Sequence, residues 1–95
     1  MTAYLVARLK VKSPEAMAEY SQNAAVIIKR FGGKPILKGG EEANLIGALE
    51  LPNIAVFAFP DREAVMGFYN SEDYRALLPL REAGADMVLS VHDAV

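Results

Sequence analysis

Apolar side chains alternate with other residues near the N-terminus, which is typical of a β-strand. Leu5, Ala7, Leu9 and Val11 lie two residues apart and therefore share one side of an extended chain. The residues between them share the other side, which is apolar at its start and charged further on: Tyr4, Val6, Arg8 and Lys10. We therefore predict a strand over Ala3–Val11 with one face in the core.

The spacing of apolar residues then changes to three and four, which indicates an amphipathic helix. Ser13, Pro14 and Glu15 form a helix start, with a hydroxyl that accepts from free N–H groups, a proline at the first position and an acid in the positive first turn. Gly32–Gly33 supplies the stop. The helix is expected to bury one stripe of side chains: Met17, Tyr20, Ala24, Ile27, Ile28 and Phe31.

Glycine and proline divide the next part of the chain into short extended segments. Lys34–Lys38 is predicted as the second strand, interrupted by Gly39–Gly40. Asn44–Leu51 is extended in character but contains Gly47, so we expect an irregular continuation or an edge strand with a bulge. Pro52–Asn53 predicts a turn.

A second helical region follows and is less regular than the first. Asp61 is expected to cap it, and Asn70–Ser71 is able to break it into two pieces with the serine as a new cap. Pro79 cannot lie in an undisturbed helix interior. We therefore predict a kink near Leu78 and a last turn that ends at Gly84.

These elements predict a ferredoxin-like α+β fold. The third strand is Ile54–Phe59, and the last is Met87–Val91 with a continuation into His92–Asp93. The order is strand, helix, strand, strand, helix, strand (βαββαβ), which produces an antiparallel sheet with both helices on one face. No linker interrupts residues 1–95, so we expect a single domain.

The third strand is apolar on both sides, which predicts a homodimer. Ile54, Val56 and Ala58 are as apolar as the three residues that alternate with them, although an antiparallel strand with one wet face should alternate with polar residues. Val6 and Ile36 need the same cover. An identical subunit stacked sheet to sheet would supply it, with an interface above roughly 2,000 Å².

The composition indicates more apolar surface than so small a domain can bury, and it argues against nucleic-acid and membrane partners. Hydrophobic residues make up 53% of the chain, which is rich for so small a protein. The net charge of −2 without a basic run argues against nucleic-acid binding, including RNA binding by the sheet. No export signal or membrane-length apolar run is visible and cysteine is absent, so we expect a cytoplasmic protein without a membrane partner.

The most specific short segment of the chain is the Tyr-Asn-Ser-x-x-Tyr run from Tyr69 to Tyr74. Together with several other segments, it resembles one family of small bacterial proteins, domain-of-unknown-function family thirteen-thirty, in the dimeric α+β barrel superfamily. The resemblance implies the fold and a dimer, and the wider superfamily includes cofactor-free monooxygenases, haem-degrading enzymes, lactone isomerases and stress-response proteins. The other matching segments are Ser13-Pro14-Glu15, Tyr20, Phe31-Gly32-Gly33, Lys38-Gly39-Gly40, Phe59-Pro60, Phe68 and Arg81.

The chain departs from this family at four positions. Lys38 stands where arginine is usual, Phe68 where tryptophan is common and Asp73 where glutamate is common. Ile46 stands where an acid often precedes Gly47. An acid–base role carried by that position in the family therefore does not transfer to this chain.

Arginines supply two candidate ligand contacts. Arg8 would anchor a carboxylate through its planar fork, or it is a rim arginine paired with Glu50 or with an acid of the partner subunit. Arg81 follows Pro79, whose kink would aim it toward the sheet or the other subunit. Compensation of the helix dipole is the alternative for Arg81.

The second helical region supplies the remaining candidates. Tyr69, Asn70 and Tyr74 would form a pocket wall, with Asn70 and Tyr74 four residues apart on one face of a helix. Alternatively the tyrosines are core residues with a solvated hydroxyl, and Asn70 and Ser71 are a break and a cap.

Two further polar features are better explained by structural roles than by ligand or metal binding. Lys38–Gly40 is able to contact an anion. A hairpin bulge explains this segment better, because it lacks the strand-to-helix setting and the spacing of a phosphate loop. His92 is the only histidine, and with no cysteine a metal site would depend on carboxylates, so we expect no metal.

Two functions stay open at this point. The first is a small-molecule-binding protein, extending to a cofactor-independent enzyme that acts on a small aromatic or carbonyl metabolite. Its ligand-binding residues would be Arg8, Tyr69, Asn70, Tyr74 and Arg81, with no cofactor and no residue assigned to catalysis. The second is a non-enzymatic stress-response or regulatory protein whose dimer interface is its purpose.

Overall fold

A computed structural model describes residues 1–94 as one antiparallel sheet with helices packed on one of its faces. The sheet has four strands in the order β2-β3-β1-β4. Its elements, in chain order, are β1 Ala3–Val11, α1 Pro14–Arg30, β2 Lys34–Gly40, β3 Asn53–Phe59, α2 Arg62–Asn70, α3 Glu72–Arg75, α4 Leu78–Gly84 and β4 Ala85–Asp93. This is the ferredoxin-like α+β arrangement, which confirms the fold predicted from the sequence.

The core lies between the helices and the face of β1 that carries its evenly spaced apolar residues. Leu5 and Ala7 are buried, and Leu5 is opposite Phe57 on β3 and Val91 on β4. The largest fully buried side chains are Phe59, Val65, Phe68 and Tyr74. They bring β3, α2 and α3 into one cluster with α1.

The opposite face of the sheet carries no helix within residues 1–94, and we refer to it as the open face. Val6 pairs with Val56 at its centre, and Val88 at the edge of the sheet is 54% exposed. The Cα extents of 33 × 32 × 16 Å are those of a two-layer slab. The face predicted to need cover is therefore uncovered in the isolated chain.

The first helix forms as its start and stop signals predict. The Ser13 hydroxyl accepts from the N–H of Ala16 at 3.2 Å, and Gly32 after its end has a left-handed φ of 85°. Like the other helices of residues 1–94, α1 is not long and apolar enough to cross a membrane.

The second helical region consists of three helices instead of one kinked helix. Ser71 ends α2 and caps α3, since its hydroxyl accepts from the N–H of Tyr74 at 3.2 Å, as the sequence predicted. The expected kink near Leu78 is wrong, because α4 begins there with Pro79 in its first turn, where no N–H is needed. The final strand begins at Ala85, two residues earlier than expected.

The segment 41–52 is an irregular loop, and the expected edge strand over Asn44–Leu51 is wrong. Gly47 and Glu50 have φ values of 70° and 59°, which an extended strand does not accommodate. The loop is closed where the N–H of Glu41 donates to the carbonyl of Pro52. Asn53 belongs to β3 and not to a turn.

The bulge of the sheet lies earlier in β2 than the sequence suggested. The register shifts between Pro35 and Leu37, next to a proline that cannot donate to the ladder. The strand then continues through Gly39–Gly40, which the sequence predicted as an interruption. Leu37 therefore lies opposite Val56 on the open face, where the sequence predicted Ile36.

Substitution of Gly33 by alanine is expected to destabilise the fold, because a Cβ at this position would lie 2.5 Å from Cγ2 of Ile28 and 2.8 Å from Cζ of Phe59. Both neighbours are buried in the core, so overpacking should lower the free energy of unfolding by about 1–3 kcal/mol. Urea denaturation at a fixed protein concentration measures this change. Gly39→Ala is the control, since nothing lies within 4 Å of its added Cβ. Equal effects of the two substitutions would contradict this packing.

Candidate functional site

A cavity of about 400 Å³ lies between α1 and the core face of the sheet. Small side chains on both walls leave this space, including Ala7 and Ala55 on the strands and Ala24 on the helix. Most of the lining is apolar, which is usual for a site that takes a small molecule. The other apolar residues of the lining are Leu5, Leu9, Val11, Met17, Ala25, Ile28, Ile54, Phe57, Phe68, Met87 and Leu89.

Few polar side chains reach this cavity. Tyr20 and Ser21 line it from α1, and Lys38 and Asn53 line it from the strands. The Lys38 ammonium lies 5.7 Å from the centre of the Phe57 ring, which is a favourable cation–π distance. Within residues 1–94, the lining contains no histidine, aspartate or glutamate.

Beside the cavity, three polar side chains from three helices form a hydrogen-bonded cluster. The hydroxyls of Tyr20 on α1 and Tyr74 on α3 are 2.7 Å apart, and Nη1 of Arg81 on α4 donates to the Tyr74 hydroxyl at 3.1 Å. Ser71 positions Tyr74 by capping α3, and the first turn of α4 at Pro79 positions Arg81. The cluster thus depends on the division of the second helical region into three pieces.

Burial sets the protonation of this cluster. Desolvation raises the pKa of the Tyr20 phenol well above 10.0, the neighbouring Tyr74 raises it further, and the Arg81 charge opposes the shift. Desolvation alone would lower the pKa of Arg81, but its hydrogen bonds to Tyr74 and Glu82 outweigh it, and the net shift is upward. At neutral pH the cluster therefore holds a neutral Tyr20 phenol and a charged guanidinium.

Three of the predicted site residues come together and two do not. Tyr69 packs its ring 5.6 Å from that of Tyr74, which in turn binds Arg81. Asn70 is exposed at the end of α2. Arg8 lies on the open face, where its Nη2 donates to the carbonyl of Leu51 at 2.9 Å.

Sequence reasoning missed the residues that line the cavity itself. Tyr20 was assigned to the buried stripe of α1, and its phenol was the available signal, since it is the only hydroxyl group in that stripe. Lys38 was considered only as part of a glycine-rich bulge. Ser21 carries no sequence signal, because one hydroxyl on a helix is ordinary.

Metal ligands do not gather in the described part of the chain. Residues 1–94 contain no group of three or more histidine, cysteine, aspartate or glutamate side chains placed to hold a metal ion. His92 lies on β4, where its Nε2 is 2.8 Å from the Ser90 hydroxyl.

Comparison with known sequences identifies the family. The model of a domain of unknown function, DUF1330, matches residues 2–95. The chain belongs to this family. The residues of the cavity, the cluster and the open face all lie within this match. A search of curated proteins gives no match to this DUF1330 protein.

Solved structures show the same fold at low sequence identity. A protein of unknown function from Rhodopseudomonas palustris has a TM-score of 0.84 and 20% identity, covering 99% of this chain and 82% of that one. A dimeric ferredoxin-like protein of unknown function from Jannaschia sp. has a TM-score of 0.68 and 12% identity, covering 99% and 100%. SnoaB, a cofactor-independent oxygenase from Streptomyces nogalater, has a TM-score of 0.68 and 14% identity, covering 99% and 93%.

The stability of this DUF1330 protein is expected to fall with pH above 10. The raised pKa keeps Tyr20 protonated in the folded state, whereas the unfolded chain releases this proton near 10.0. Stability contributed by the neutral phenol is therefore complete below pH 10 and is lost as the pH rises toward the folded pKa, by up to about 1.4 kcal/mol per pH unit.

Urea denaturation of the wild type and of Tyr20→Phe between pH 9 and 11 measures this effect. The substituted protein should lose stability less steeply with pH, because it lacks the titrating group. Tyr4→Phe is the control, since Tyr4 lies on the open face, on the other side of the sheet from Tyr20. Parallel pH profiles for the wild type and Tyr20→Phe would refute the assignment.

Proposed function

We propose that this DUF1330 protein binds a small, largely apolar molecule in the cavity between α1 and the sheet. The cavity of about 400 Å³ is the observation that carries the proposal. A close-packed core of this size would leave few voids larger than a water molecule. An apolar cleft of this volume, lined by alanines on facing elements, gives a small molecule room to bury most of its surface.

An aromatic or carbonyl metabolite suits the groups that line this space. The rings of Phe57 and Phe68 offer flat apolar contact, and Tyr20 and Lys38 offer hydrogen-bond donors. Preorganised donors of this kind stabilise negative charge on an oxygen atom, which is how cofactor-independent enzymes assist carbonyl chemistry. The fold is shared with one cofactor-independent oxygenase, which supports an enzyme of that type as the first form of the proposal.

One observation favours binding without catalysis as the second form. General acid–base catalysis needs a group whose pKa is near neutral, and the cavity lining of residues 1–94 offers no histidine or carboxylate for this task. A non-enzymatic regulatory or stress-response protein would need only the cavity and its ligand. Turnover of a bound ligand distinguishes the two forms.

We also propose that two copies of the chain pair through their open faces. The chain exposes 6249 Å², whereas a folded monomer of 10.3 kDa is expected to expose about 5,400 Å². The excess of exposed area over this expectation is close to the roughly 800 Å² that each partner buries in a standard interface. The similar Jannaschia protein is described as dimeric, which supports the same arrangement here.

Arg8 supports this pairing from the centre of the open face. Its Nε atom is buried and has no hydrogen-bond partner within residues 1–94. An unsatisfied buried donor is costly, and an acceptor from a second subunit would remove the cost. The exposed side chains of Leu45 and Ile46, at 94% and 93%, add apolar surface on the loop beside this face.

Binding in the cavity is tested with tetralin, a bicyclic hydrocarbon, followed by the methyl NMR signals of the protein. Signals of Leu5, Leu9 and Ile28 in the lining should shift on titration, and those of Ile36 and Val88 should not. Ala55→Leu should weaken binding at least tenfold, because the larger side chain occupies the cavity.

Ala18→Leu on the exposed side of α1 is the matched control and should bind as the wild type does. Shifts confined to the open face, or undiminished binding by Ala55→Leu, would show that the cavity is not the site.

Dimer formation is tested by sedimentation at low micromolar concentration. The wild type should sediment as a dimer, and Val56→Lys should dissociate because it introduces a charge at the centre of the open face. Val26→Lys is the matched control, since Val26 is 62% exposed on α1. A folded wild-type monomer at this concentration would rule out the proposed pairing.

A further inference from the structure

The tyrosine–arginine cluster has a direction that follows from counting its protons. A guanidinium only donates hydrogen bonds, so the oxygen of Tyr74 accepts from Arg81. A phenol has one proton to donate and can also accept. The Tyr74 oxygen has two polar neighbours within residues 1–94, which are Arg81 and Tyr20.

Burial favours the arrangement in which Tyr74 donates its proton to Tyr20. Tyr74 is fully buried, so its proton needs an acceptor, and the Tyr20 oxygen at 2.7 Å is the acceptor available. If Tyr20 donated instead, the Tyr74 proton would be left buried without a partner. The chain of hydrogen bonds runs from Arg81 to Tyr74 to Tyr20.

This direction leaves the proton of Tyr20 unused at the cavity. Tyr20 lines the cavity, whereas Tyr74 and Arg81 do not. Within residues 1–94, the hydrogen bond found for the Tyr20 hydroxyl is the one with Tyr74. Hydrogen bonds in such a chain polarise one another, so a charged guanidinium at one end strengthens the donor at the other.

We propose that Tyr20 donates this hydrogen bond to a carbonyl oxygen of the bound ligand, with Tyr74 and Arg81 as positioning residues. This inference rests on the proposed cavity function and narrows it to ligands that combine an apolar ring system with a ketone or quinone oxygen.

The test compares 1-tetralone with tetralin, which share a bicyclic skeleton and differ by one carbonyl group. A net hydrogen bond is worth about 0.5–1.5 kcal/mol, so the wild type should bind the ketone roughly two- to tenfold more tightly. Tyr20→Phe should lose this preference while its affinity for tetralin stays the same. Tyr4→Phe is the control and should keep the preference, since Tyr4 lies on the open face and does not line the cavity.

Infrared spectra of bound, carbonyl-labelled 1-tetralone provide a readout that packing alone would not change. The carbonyl band of the bound ketone should lie at lower frequency in the wild type than in Tyr20→Phe, and the band in Tyr74→Phe should lie between the two. The wild-type spectrum remains informative even if Tyr20→Phe fails to fold.

The results distinguish failure of the Tyr20 assignment from failure of the proposed cavity function. If tetralin binds and 1-tetralone binds no better, or if Tyr20→Phe keeps the preference and the band shift, the Tyr20 assignment is wrong while the cavity function stands. If neither compound binds the wild type, the cavity proposal fails and the inference fails with it.

Discussion

The helical layer depends on the hydrogen bond between the buried hydroxyls of Tyr20 and Tyr74. It joins α1 to α3 at a point where neither oxygen can turn to water, so losing it would leave a desolvated polar group that costs about 1–3 kcal/mol. An ion pair between Arg30 and Asp73 joins the same two helices, but both side chains are more than half exposed. Exposed pairs contribute about 0–1 kcal/mol, so the buried bond dominates.

The fold could be predicted because its signals are local. The alternation in β1, the cap at Ser13, the stop at Gly32 and the break at Ser71 each depend on a few neighbouring residues. The loop over 41–52 could not be predicted, because the left-handed backbone of Glu50 has no residue signature. The bulge beside Pro35 depends on pairing with a distant strand.

The candidate site was only partly predictable, because a cavity is a property of facing surfaces. Tyr74 and Arg81 stood out as polar residues near helix breaks, and the fold brings them together. Tyr20 has the spacing of a core residue and is one, so its position beside an empty space emerges only when Ala55 and Ala7 are seen opposite it. Small side chains that create a void carry no pattern along the chain.

The second helical region is divided at Ser71, whose side chain bonds to both of the helices that it separates. Its hydroxyl donates to the carbonyl of Phe68 and accepts from the N–H of Tyr74, so one serine couples the end of α2 to the start of α3. The helices that follow carry Tyr74 and Arg81, which stand outside the cavity wall. Under the proposed function, a change in this connection would alter the hydrogen bonds that reach Tyr20 while every residue of the cavity lining stays the same.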